Sequence, residues 1–422
     1  MEEKHQSAGK AAKIVKIVVA SIACLVLLLS LTVVMWWTIA GVKTWDEGVQ
    51  LVVKLFTPRE NDVYYKDSYT VKDDKAFKNK DKTVATVGTA ALTNGQLQVY
   101  YWVNVYDNMD YAVYSGMDYT KPFNEQLCPD MEKGNWQQFF LEDALGTWHK
   151  YQAMALLAQQ EGLELPEDLR KTLDNLRANM TETALSSGYS SLDALIQADM
   201  GGGCTFEDYQ AYMETYCVGY AYFNDHYSKI EVTDQMLADY FAANEETLKK
   251  GGITKESGKY YDVRHILIEI AGGTKDENGK TVYSEEDWEA CRVKAQKLLD
   301  EWLAGEHTEA TFAELAQKHS ADGGSKKEGG LYSRLTDKTN FVKPFKDWYL
   351  DEARVKGDYG LVKTDYGYHI MYFSSAQEQW SVECRDGILS DKAHEILSNA
   401  VEAFPLEVDY KKIMLGNVDL SK

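Results

Sequence analysis

Val263-Arg264-His265-Ile266-Leu267-Ile268 and Gly367-Tyr368-His369-Ile370-Met371 are apolar, strand-like runs, each with one histidine near its middle. An imidazole on a half-buried strand needs partners, because a polar ring left without hydrogen bonds in a core costs on the order of 1–3 kcal/mol. Two such rings facing one another satisfy part of that need and can orient a nearby carboxylate. Between the runs stands His319-Ser320-Ala321-Asp322-Gly323-Gly324-Ser325, closing with Gly329-Gly330-Leu331. Zinc held by His265, His369 and Asp322 is an alternative, but the histidines form no local i, i+4 pair and no thiolate joins them. The glycine pairs read as turns, since no GxxxxGK[ST] phosphate loop is present.

Outward from these runs, Tyr260 to Ile270 alternates as a strand, and Ser284-Glu285-Glu286-Asp287 caps a helix with Trp288, Cys291, Ala295, Leu298, Leu299 and Trp302 on one face. Thr311-Phe312-Ala313-Glu314 reads as the capping box of the next helix. Strand, helices and strands in this order predict a small antiparallel sheet covered by helices over residues 259–375. Gly251-Gly252 and Glu256-Ser257-Gly258 mark a hinge-like boundary before it.

Residues 84–250 read as a mostly helical domain. Val84 to Gly88 and Ala91 to Gly95 suggest a short strand and turn, after which Phe139, Phe140, Ala144, Leu145, Trp148 and Tyr151 recur at helical spacing. Leu165-Pro166 starts another helix, Ser191 and Thr205 read as N-caps, and Gly201-Gly202-Gly203 is a break. The stripe Tyr209, Tyr212, Met213, Tyr216, Tyr220 and Phe223 reads as core, with a surface for apolar client segments as the alternative. Residues 376–422 hold a helix and the strand-like Leu406 to Tyr410, too little for a core of their own, and are expected to pack back on the helical domain. The sheet domain is then an insertion.

The run Ile17 to Ile39 is almost wholly apolar. At about 1.5 Å per residue it is roughly 34 Å long, enough for one tilted membrane crossing. Lys4, Lys10, Lys13 and Lys16 precede it, and Trp36, Trp37 and Trp45 mark the far interface. Residues 1–16 are therefore expected in the cytoplasm, 17–39 as a single-pass signal anchor in the cell membrane, and the bulk of the chain outside. A lipoprotein signal ending at Ser21-Ile22-Ala23-Cys24 is the alternative, although the apolar run continues past Cys24. Residues 42–83, rich in lysine and aspartate between Lys66 and Lys82, read as a solvated tether.

The 422 residues carry 45 Lys+Arg against 66 Asp+Glu, a net charge of −21, which leaves no basic face for a nucleic acid. The six cysteines show no CxxC pair; a disulfide framework is not expected, though Cys204 and Cys217 could close a small loop.

The motif order in residues 259–375 resembles the parvulin family of peptidyl-prolyl cis/trans isomerases: the Val263 to Leu267 run, Phe312-Ala313-Glu314-Leu315-Ala316, Ser320-Ala321-Asp322, Gly329-Gly330-Leu331, Val342-Lys343-Pro344-Phe345 and Thr364-Asp365-Tyr366-Gly367-Tyr368-His369. The whole arrangement resembles the SurA/PrsA extracytoplasmic foldases: an α+β multi-domain chain with a transmembrane helix, a helical chaperone-like domain and an inserted parvulin domain. The resemblance implies that His265 and His369 pair, that Thr364 hydrogen-bonds one ring, and that Asp322 stands beside the substrate carbonyl. It also implies a proline pocket lined by Leu331, Phe341 and Phe345, with Tyr366 completing an aromatic wall. Many parvulins have Met where this chain has Phe341, a departure that could narrow the pocket. The loop Ala271 to Lys280 balances two lysines with two acids, so no preference for phosphorylated substrate is expected. The implied partners are unfolded or nascent secreted chains with X-Pro bonds; no cofactor is needed, and the oligomeric state is left open. A holdase with an inactive parvulin module and an envelope adaptor are the competing functions.

Overall fold

The computed structural model describes residues 68–131 and 134–420. They form an α+β chain, mostly helical with small antiparallel sheets. In chain order the elements are α1 (Asp73–Asn79), β1 (Thr83–Val87), β2 (Ala90–Thr93), α2 (Asn94–Asp107), α3 (Met109–Tyr114), α4 (Trp136–Glu161), α5 (Glu167–Ser186), α6 (Leu192–Met200) and α7 (Phe206–Ser228). Then follow α8 (Asp234–Lys250), β3 (Lys259–Glu269), β4 (Thr274–Lys275), β5 (Thr281–Val282), α9 (Glu285–Ala304), α10 (Glu309–His319), β6 (Leu331–Leu335), α11 (Lys343–Tyr349), β7 (Tyr359–Thr364) and β8 (Gly367–Glu378). The last are α12 (Gln379–Ala403) and β9 (Leu406–Val408). The chain divides into two compact units, one ending at Val232 and resuming at Asp386, the other running from Thr233 to Arg385. Helix α8, read from the sequence as part of the helical domain, is thus grouped with the second unit.

The first unit is built on α2, α4 and α7, which bury Leu97, Tyr101, Phe140, Leu141, Leu145, Phe206 and Tyr212. Most of the tyrosine stripe lies in this core: Tyr209 and Tyr212 are buried, and Tyr216 and Tyr220 stack with centroids 5.9 Å apart. The C-terminal segment is stitched into the same unit. β9 pairs antiparallel with β1 in a sheet of order β2-β1-β9. Beyond it the Gln98 side chain accepts from the Gly416 amide at 2.6 Å, and Trp102 Nε1 donates to the Gly416 carbonyl at 3.1 Å. Asn94 clasps the backbone of Lys412 and Met414, each at 2.8 Å. These side chains satisfy backbone groups that an irregular buried segment would otherwise orphan.

Two expectations are corrected here. Residues 68–82, read as tether, fold into the first unit: they form α1, bury Tyr69 and Ala76, and join the C-terminal segment through Val71 N–H to Leu415 O at 2.8 Å. Two small apolar contacts and backbone pairing suffice, and composition does not register them. Cys128, Cys204, Cys217, Cys291 and Cys384 are all unbridged and buried, so Cys204 and Cys217 close no loop. The proposed anchor, residues 17–39, lies outside the described residues; among those described, no helix is long and apolar enough to cross a membrane.

The second unit is a four-stranded antiparallel sheet of order β6-β3-β8-β7. Strand alternation divides its side chains between two cores. Ile266, Ile268 and Ile370 pack with Cys291, Leu299, Trp302 and Phe312 from α9 and α10. Val263, Met371 and Phe373 pack with Phe345 and Tyr349 from α11. Ser284 and Asp287 form the capping box of α9, as read from the sequence. Helix α10 starts earlier than expected: Thr308 is its N-cap and Thr311, taken as the cap, is the third helical residue that closes the box.

Candidate active site

The sheet register brings the two histidines together. His265 pairs with Met371 and Leu267 with His369, so the imidazoles are diagonal neighbours on adjacent strands, on the side that faces α11. Their Nδ1 atoms lie 3.0 Å apart with ring centroids at 5.2 Å, and both residues are buried. Two glycines permit the close backbone approach to β3 on either side. A Cβ on Gly330, whose φ is +75°, would stand 2.2 Å from the His265 carbonyl oxygen, and one on Gly367, at φ +138°, would stand 2.1 Å from that of Ile268.

Polar contacts extend from both ends of the pair. His369 Nε2 is 2.9 Å from Thr364 Oγ1, and the Tyr366 amide donates to that oxygen at 3.2 Å. The hydroxyl hydrogen is therefore free to go to Nε2. His265 Nε2 is 3.1 Å from Asp322 Oδ2 and 3.1 Å from Ser325 Oγ. One proton arrangement satisfies the whole row: Thr364 O–H donates to His369 Nε2, His369 Nδ1–H to His265 Nδ1, and His265 Nε2–H to the Asp322 carboxylate. Burial, and the facing His265, push the pKa of His369 down to about 3, so its ring is neutral at physiological pH.

Asp322 sits at the end of this row because its loop is tied to β3. Ala321 N–H bonds to Leu267 O at 2.9 Å, and Ser320 Oγ accepts from the amides of Leu267 and Asp322 at 3.1 and 3.2 Å. Arg264 ties the far side of the loop, donating to the carbonyls of Glu328 and Gly329 at 2.8 and 3.1 Å while its Nε holds Glu309 at 3.0 Å. The Asp322 Oδ2 atom accepts from His265, from the Ser325 amide at 3.0 Å, from the Tyr332 hydroxyl at 3.0 Å and from the Ser325 hydroxyl. The hydrogen bond from His265, followed by that from Ser325, holds the carboxyl well below the usual carboxylate range against the opposing effect of burial. Oδ1 accepts no hydrogen bond from the described residues.

An aromatic wall stands against this polar row. Phe345 meets both imidazoles edge-on, at 5.1 and 5.3 Å, and Phe341 lies 4.8 Å from Phe345. The third ring is one the sequence reading missed: Tyr332 packs edge-on against Phe341 at 4.9 Å and stacks on His265 at 5.4 Å. Leu331, expected in the wall, pairs with Arg264 on β3 and is absent from the cluster that takes in Tyr332 and Phe341, because neighbouring residues on a strand point to opposite faces. Tyr366, also expected there, is 60% exposed and makes no ring contact with Phe341 or Phe345. The structure thus brings together His265, His369, Thr364, Asp322, Phe341 and Phe345, leaves Leu331 and Tyr366 outside, and adds Ser325 and Tyr332. Ser325 had a signal in its serine hydroxyl three residues after a turn aspartate; Tyr332 had none beyond its place beside Leu331.

Chemically the site offers an anion held in one orientation, a facing imidazole pair whose His369 member is neutral, and an apolar wall. Residues 247–376 match the PPIC-type PPIase domain family. The chaperone SurA of Pseudoalteromonas atlantica is 33% identical over 150 residues, covering 35% of this chain and 29% of that protein. The putative peptidyl-prolyl cis-trans isomerase Cbf2 of Campylobacter jejuni is 28% identical over 139 residues, 29% of this chain and 48% of that protein. The chain thus spans less than half the length of either curated relative. The crystal structure of PrsA from Bacillus subtilis aligns with 64% of this chain and 90% of its own, at 15% identity and a TM-score of 0.29.

Proposed function

We propose that this chain, whose residues 247–376 are a PPIC-type, that is parvulin-type, peptidyl-prolyl isomerase domain, is a membrane-anchored extracytoplasmic foldase that speeds cis/trans isomerisation of X-Pro bonds in secreted or envelope proteins and binds their unfolded segments. The observation that carries the reading is the row Thr364-His369-His265-Asp322 set against Phe341 and Phe345. Rotation about an X-Pro amide meets a barrier near 20 kcal/mol because resonance is broken in the twisted state. The aromatic wall would grip the pyrrolidine ring and exclude water. A carboxylate beside the preceding carbonyl disfavours the resonance form that places negative charge on that oxygen, and so favours the twisted amide over the planar one. The imidazole pair has the role of orienting Asp322, His265 by its direct hydrogen bond and His369 by holding His265. No covalent step and no cofactor enter.

Client binding is assigned to the helical first unit, and attachment to the apolar run 17–39; the chaperone role named for the SurA relative supports the first, the flanking lysines and tryptophans the second. The test is a protease-coupled prolyl-peptide assay on the full chain and on Asp322→Ala. Catalysis that falls at least tenfold in the variant is the expected result; a wild type no faster than buffer removes the enzymatic part. One observation favours the holdase reading: Tyr332 and Phe341 crowd the cup from one side. Suppression of client aggregation that survives in Asp322→Ala, with client refolding rates unchanged, would select it.

A further inference from the structure

We propose that Tyr332 is the positioning residue of this site, its hydroxyl fixing the orientation of Asp322 and its ring setting the width of the proline cup. The inference rests on the isomerase reading and deepens it. Tyr332 joins the polar and the apolar halves of the site in one side chain: its hydroxyl donates to Asp322 Oδ2 at 3.0 Å, while its ring lies 4.9 Å from Phe341 and 5.4 Å from His265. Its backbone is fixed independently, because Tyr332 pairs with Val263 on β3, one of the fully buried residues of the sheet. The carboxylate can rotate about its Cβ–Cγ bond. The donors that oppose this rotation come from three directions: His265 from β3, Ser325 from the loop itself and Tyr332 from β6. All of them converge on Oδ2, which leaves Oδ1 as the oxygen available to a substrate. Tyr332 is the donor that comes from the side of the aromatic wall, so it ties the bearing of the anion to the walls of the cup. Held this way, a proline ring seated against Phe341 and Phe345 meets the carboxylate in one fixed orientation, which is what a transition-state contact requires. Of the titratable groups that face Asp322, the Tyr332 phenol and His265 touch it directly, at 3.0 and 3.1 Å, His369 acts through His265, and the phenol is itself shifted upward by burial and by the carboxylate.

The variants Y332F and Y332L in the full chain separate the two roles. Y332F keeps the ring and loses the hydroxyl: KM for a prolyl peptide should stay within about twofold, kcat should drop roughly fivefold, and the acid midpoint of Asp322, followed by its carboxyl 13C resonance, should move to higher pH. Y332L also removes the wall, and KM should rise roughly tenfold as well. Wild-type kcat together with an unmoved Asp322 midpoint in Y332F would overturn the positioning role, and an unchanged KM in Y332L would overturn the role in cup width. Should the wild type prove inert toward prolyl peptides, the isomerase reading fails by itself, and the Asp322 resonance still decides whether Tyr332 holds the carboxylate.

Discussion

Acidification should push the two units in opposite directions. In the second unit His369 is buried and neutral, with its pKa lowered from 6.5 to about 3. The unfolded chain therefore binds a proton more readily than the folded one anywhere below pH 6.5, and folding stability falls as pH falls through that value. Between pH 8 and pH 5 linkage gives a loss of about 2 kcal/mol from this ring alone. Asp322 adds nothing in that window, since its folded pKa is depressed and its contribution is lost only below the range of an ordinary carboxylate. In the first unit Glu142 is half-buried beneath the Tyr410 hydroxyl, which bonds to both its oxygens at 2.9 and 3.1 Å, and desolvation raises its pKa from 4.5 to about 7. Its ionised form is disfavoured in the fold, so the penalty is full above pH 7 and is relieved on acidification, a gain of about 2.5 kcal/mol over the same interval. Asp199, raised to about 6 by burial, acts in the same sense, while His149 on α4, whose pKa burial lowers, works against it. Native-state hydrogen exchange at pH 8 and pH 5, corrected for intrinsic rates, reads both units in one sample. Protection of β3 and β8 should drop while that of α2 and α4 rises, and Glu142→Gln should flatten the rise. A change of the same sign in both units would refute the burial argument.

Three further outcomes follow from single contacts. Gly330→Ala places a Cβ 2.2 Å from the His265 carbonyl oxygen at a left-handed φ, and should destabilise the second unit by several kcal/mol, read as a lowered denaturant midpoint. Thr364→Val removes the hydroxyl that bonds buried His369 Nε2; an isomerase rate several-fold below wild type, with a loss of about 1–2 kcal/mol in stability, is expected, and an unaltered rate would release Thr364 from the site. A thiol reagent under native conditions should leave Cys128, Cys204, Cys217, Cys291 and Cys384 unlabelled and react with them on unfolding, checked by mass spectrometry.

The legible part of this molecule was local. The histidine strands and the capping box at Ser284 are read from spacing of two to four residues, and each is where spacing put it, whereas the place of Asp322 came from the family resemblance. The site was misread where phase mattered. β6 has five residues after a glycine pair, too short a run to tell which of Leu331 and Tyr332 faces α11, and the paired strand β3 settles it through register. The segment 68–82 was misread for another reason: its order comes from hydrogen bonds to a partner more than three hundred residues away, and nothing in its own composition marks that.

That same distance bears on how the chain is made. Val87 finds its neighbour Leu406, and Asn94 its carbonyl at Lys412, only after the ribosome has synthesised all that lies between. Helices α2, α4 and α7 thus emerge early with one edge of their sheet and several amide-binding side chains still awaiting residues 406–416, while every strand of the second sheet arrives within one continuous stretch. A nascent chain held short of Leu406 should show protease sensitivity in its first half that disappears on release.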